Sequence, residues 1–121
     1  MSSTPIHPRP LTDLESVVLT ELLSVGGAGA DEFRAQIPDS EVVATWGAGS
    51  PSVDLAVRGG VQAVTSTDGI FANATVTDNS GSPIGELILW VENGWLSAIE
   101  YGWYTDERPR CLPEPARITV H

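Results

Sequence analysis

A chain of 121 residues with 16 acidic side chains, six arginines and no lysine carries a formal net charge of −10. That excess disfavours nucleic acid, whose phosphate backbone needs a basic stripe to release its counterions, and suits solubility or attraction to a basic protein. The chain is 41% hydrophobic, but no apolar run nears the roughly 20 residues that span a bilayer and the N-terminus has no apolar leader, so a cytoplasmic globular protein with no membrane association is expected.

Residues 1–10 hold Pro5, Pro8 and Pro10 and no periodicity, which predicts a mobile tail before a single domain over 11–121. Thr12 and Glu15 have the spacing of a capping box, and Leu14, Val17, Val18 and Leu22 follow at helical intervals, predicting a helix to about Ser24. Gly26, Gly27 and Gly29 end it. They do not form a phosphate loop, since a helix precedes them and no Gly-Lys-Ser/Thr follows. A second helix is expected from Asp31 to just before Pro38, with Phe33 and Ile37 inward.

The period then changes. Glu41 to Trp46 reads as a strand and Gly47 to Pro51 as a turn. Val53, Leu55 and Val57 alternate with Ser52, Asp54 and Ala56 as a second strand that breaks at Arg58-Gly59-Gly60. Val61 to Val64 fits either a continuation after a bulge or a separate short strand, and Thr65 to Gly69 a loop. Ile70 to Thr77 is rich in β-branched residues and closes at the Asp78 to Gly81 turn. Its Asn73-Ala74-Thr75 triplet has no glycosylation role without a secretory leader.

Ile84 to Tyr104 is the organising stretch: two apolar runs flank Asn93-Gly94, the pair best suited to the positive φ angles of a two-residue hairpin turn. Pairing outward from that turn sets Glu92 opposite Trp95, Trp90 opposite Ser97, Ile88 opposite Ile99 and Glu86 opposite Tyr101. One face then carries Ile88, Trp90, Trp95, Ile99 and Tyr101, the other Leu87, Leu89, Val91, Leu96 and Ala98. Both are apolar, so helices are expected on one, and a second subunit, a partner or a pocket on the face bearing Leu87, Leu89, Val91 and Leu96. A homodimer through those four residues is the favoured arrangement. Glu100 falls on that same apolar face, where a carboxylate needs a donor or a proton; it either lines a pocket with Trp103 and Tyr104 or reaches solvent or an arginine at the strand end. Trp95, Glu100, Tyr101, Trp103 and Tyr104 are the candidate binding residues, although tryptophans at cross-strand spacing more often serve core or interface than a ligand platform. Beyond Tyr104, Pro109, Pro113 and Pro115 mark an extended surface segment, and Ala116 to Val120 fits an edge strand.

No catalytic signature emerges. His7 and His121 sit at the two ends of the chain, which argues against a Ser-His or Cys-His nucleophile system. Cys111 is alone, so neither an internal disulfide nor a zinc site is expected, and no cofactor pattern is present. The predicted fold is α+β: two N-terminal helices packed on a mainly antiparallel, meander-like sheet of about four to six strands. With the DEFRAQI helix and the ending VENGWLSAIEYGWY before Pro109 and LPEP, the chain resembles a family of small uncharacterised bacterial proteins, actinobacterial in character. The likeness runs over Leu22 to Ile37 and Asn93 to Pro115 and implies an α+β domain without an assigned activity. Two readings of function stand: a non-enzymatic interaction module of the acidic inhibitor or immunity type that meets a basic partner, or a cystatin-like domain whose pocket binds or turns over a small ligand beside Glu100, Tyr101 or Tyr104.

Overall fold

Thr12 Oγ1 accepts the Glu15 amide at 3.1 Å and Glu15 Oε1 accepts the Thr12 amide at 2.8 Å, so the capping box forms and starts helix α1 (Asp13–Leu22). Gly29, at φ +95°, turns the chain into α2 (Ala30–Gln36), which runs into a 3-10 turn over Ile37–Asp39. In the computed structural model, which describes residues 3–121, the strands are β1 (Thr4–Pro10), β2 (Ser40–Thr45), β3 (Val53–Val57), β4 (Gly69–Thr77), β5 (Pro83–Glu92), β6 (Trp95–Trp103) and β7 (Ile118–Val120). They form one sheet in the order β1-β2-β3-β6-β5-β4-β7, with every neighbouring pair antiparallel. The α+β expectation holds. The sheet is larger than four to six strands, however, and helical structure is not confined to the N-terminal part, since a 3-10 turn at Pro115–Arg117 leads into β7.

The largest departure from expectation is β1. Its prolines lack an amide donor, but an edge strand needs donors on one side only, so Pro5 and Pro10 still pair with Ala44 and Glu41. The same prolines blunt this edge against further strand addition. Thr4 to Pro10 is therefore strand rather than mobile tail; Met1 and Ser2 lie outside the described residues.

Arg9 fixes that strand to α1. Its guanidinium holds Glu15 through two hydrogen bonds of 2.9 and 3.0 Å. Burial pushes the Glu15 carboxyl up, but Arg9 and the Thr12 amide outweigh it and hold it below the ordinary carboxylate range. A carboxyl depressed in the folded state contributes stability that is complete above its unfolded pKa and is lost as the pH falls through its folded one. Arg9→Ala is expected to cost about 2 kcal/mol at pH 7, less than for a fully buried pair because Arg9 is partly solvated. Urea denaturation across pH should show the gap to the native chain complete above about pH 5 and closing below about pH 4.

The Asn93-Gly94 turn has φ angles of +52° and +81°, as the two-residue hairpin turn requires. From it the strands pair Glu92 with Trp95 and Val91 with Leu96, and then the register shifts so that Trp90 meets Ala98, Leu89 meets Ile99 and Leu87 meets Tyr101. Ser97 is the extra residue. A one-residue slip turns every later side chain of the strand to the other face, so Ile99 and Tyr101 join Leu87, Leu89, Val91 and Leu96 in one buried layer. Helix α2 packs against β6 and α1 against β4 and β7, closing that layer with Val18, Leu19, Leu22 and Phe33. Leu87, Leu89, Val91 and Leu96 are therefore core of a single chain, not a dimer interface: the helices cover this face and leave the other one open.

Candidate functional site

The open face is built around one cross-strand row. Successive pairings run Pro5 to Ala44, Ala44 to Asp54, Asp54 to Ala98, Ala98 to Trp90 and Trp90 to Ile70, so these side chains stand on the same side of the sheet across six strands. Register shifts beside this row place extra residues at Val43, Phe71 and Ser97. Bulges bend the strands that carry them, and here they turn Phe71 inward onto Phe33, with ring centroids 4.9 Å apart. Beside the row, Glu100 pairs with Ile88 and Ile88 with Asn73.

Two indole nitrogens reach diagonally across this face. Trp46 Nε1 donates to Asp54 Oδ1 at 2.9 Å, and Trp90 Nε1 donates to Glu100 Oε1 at 2.9 Å. Ala44 and Ala98 are only 6% and 4% exposed although no helix lies over them, so the larger side chains around them must lie across the alanines. The carboxylates are thereby oriented, and each keeps lone pairs for a further donor. Glu86 and Glu92 share the outward positions of β5 with Ile88 and Trp90 and add negative charge to the same face.

Of the candidate binding residues, Trp95 and Glu100 share this face. Tyr101 is on the opposite, buried side, and Trp103 and Tyr104 leave the strand end exposed to solvent. The five do not form one site. Glu100 does not lie among the leucines: the Ser97 bulge turns it outward to the Trp90 indole, so the pocket with Trp103 and Tyr104 is replaced by an open hydrogen-bonded surface. Asp54 and Trp46 were not singled out from the sequence, because their contact depends on the register of β2 against β3. The two histidines lie on or beside β1 and β7, the opposite edges of the sheet. Family models, curated proteins and solved structures each yield no match to this chain. Among the described residues no helix is long and apolar enough to cross a membrane.

Proposed function

We propose that the protein is a cytoplasmic, non-enzymatic interaction module of the acidic inhibitor or immunity type, whose open sheet face docks on an arginine-bearing surface of a basic partner. The observation that carries this reading is the pair of indole–carboxylate hydrogen bonds, Trp46 to Asp54 and Trp90 to Glu100, on a sheet face that no helix covers. A guanidinium can take two carboxylate oxygens with its planar fork and stack on an adjacent indole, so this face offers both halves of an arginine site. The chain's own arginines are largely engaged with other partners. Arg9, Arg34 and Arg58 pair with Glu15, Asp31 and Glu41, while Arg108 and Arg117 bond to Ala48 O and Asn79 Oδ1.

A short extended peptide carrying arginines, and the same peptide with neutral citrulline in their place, test the reading by fluorescence anisotropy. The arginine peptide should bind and weaken steeply as salt rises from about 0.05 to 0.5 M, where screening shortens the Debye length severalfold. Glu100→Gln and Asp54→Asn should each weaken it about fivefold, or roughly 1 kcal/mol. Equal binding of the citrulline peptide, or binding insensitive to both substitutions, would overturn the proposal.

A further inference from the structure

A second surface stands apart from the open sheet face. On the helix side, where the segment after β6 folds back toward β7, a hollow of about 250 Å³ lies between Val76, Ile84, Leu112 and Pro113. Tyr101 and Arg117 also line it. The Tyr101 residue is only 6% exposed, and its ring lies over Gly85, where an added Cβ would come within 2.8 Å of Tyr101 Cε1. A buried tyrosine hydroxyl ordinarily has a hydrogen-bond partner. Among the described residues this one has none, yet no side-chain polar atom is both sealed from solvent and unbonded, so the hydroxyl opens into the hollow.

Arginines stand around the same segment: Arg117 lines this hollow, while Arg110 lines an adjoining one together with the Arg9–Glu15 ion pair. Arg117 uses Nη2 on Asn79 and lies near enough to Asp78 to help hold that carboxyl down, but the remaining N–H groups of its fork carry no hydrogen bond among the described residues. We infer that this hollow is a binding site for a small monocarboxylate with a short aliphatic or phenyl body. The carboxylate meets the Tyr101 hydroxyl and the Arg117 guanidinium, and the body lies against Val76, Ile84, Leu112 and Pro113. The volume suits a ligand of this size, since it lies just below the usual range for drug-sized molecules. Burial, and then the nearby Cys111, push the Tyr101 hydroxyl up against the opposing pull of Arg117, so it stays a donor at neutral pH. Glu114 also lines the hollow and opposes an anion there.

Cys111 lines the hollow and is exposed, which provides a readout independent of the ligand's identity. Hexanoate is the probe and hexanamide its neutral match. In the full chain, hexanoate at millimolar concentration should slow alkylation of Cys111 by iodoacetamide and shift the Val76 and Leu112 amide resonances, while hexanamide does neither. Arg117→Gln should weaken hexanoate about tenfold, as loss of a hydrogen bond to a charged group does. Tyr101→Phe, which keeps the ring over Gly85, should weaken it severalfold, and Glu114→Gln should tighten it. Equal effects of hexanoate and hexanamide, no protection of Cys111, or unchanged binding in the Arg117 and Tyr101 variants would overturn the inference.

Discussion

Leu89→Asp is expected to abolish folding at neutral pH, whereas Ile88→Asp, one residue away, should leave a folded chain. Leu89 is fully buried, pairs with Ile99 and Ala72, and belongs to the hydrophobic cluster beneath the helices. Truncating such a leucine costs about 2–5 kcal/mol, and a carboxylate in its place adds several more for a charge taken out of water without a partner. The sum reaches the whole stability of a typical domain, about 5–15 kcal/mol. Protonating the new carboxyl would relieve part of that, so any residual structure should increase toward acid pH. Ile88 lies on the open face opposite Glu100, where a second carboxylate keeps its hydration and costs about 1 kcal/mol through like-charge repulsion. Amide NMR spectra of the two variants distinguish the faces. A dispersed spectrum for Leu89→Asp would overturn the assignment of the core to that side.

The contrast between these neighbours shows what local pattern could and could not convey. The capping box and the Asn-Gly turn are written within two to four residues, and both elements formed where those signals stand. Bulges depend on what packs above the sheet. Strict alternation from Trp95 placed Glu100 among leucines, and that conflict between a carboxylate and an apolar face was itself the signal for the slip at Ser97. With the slip, Ile99 and Tyr101 turn inward and Glu100 meets an indole. β1 was hidden for a different reason: three prolines in seven residues exclude an inner strand but not an edge one, and only the ladder to β2 with the Arg9–Glu15 pair distinguishes an edge strand from a tail. Trp46 and Asp54 are eight residues apart in the chain, so no helical or strand period connects them before the register of β2 against β3 is known.

Val61 to Val64, expected either to continue β3 after a bulge or to make a short strand of its own, does neither, and the whole segment between β3 and β4 lacks regular structure; it is held instead by the hairpin turn, which makes Gly94→Ala the second large effect. Ala63 N–H donates to Gly94 O at 2.9 Å, and the buried Gln36 side chain donates to Val61 O and Gly94 O while accepting the Leu96 amide. A Cβ on Gly94 would lie 2.5 Å from Ala63 O and 2.7 Å from Gln62 Cγ, at φ +81°. The first obstacle is backbone and has no rotamer to escape into. Relief requires residues 61–63 to withdraw, which breaks the Ala63 bond and opens Gln36 to water. Gly81 supplies the matched control, because its φ is +87° but a Cβ there meets nothing within 4 Å. Gly81→Ala should cost only the left-handed backbone term, about 1–2 kcal/mol, and Gly94→Ala about 3–5 kcal/mol in urea denaturation, the excess being the steric term and the bonds it breaks. Hydrogen exchange at the Leu96 amide should accelerate in Gly94→Ala alone. Equal costs for the two glycines would mean that residues 61–63 yield freely and that Gln36 does not anchor them.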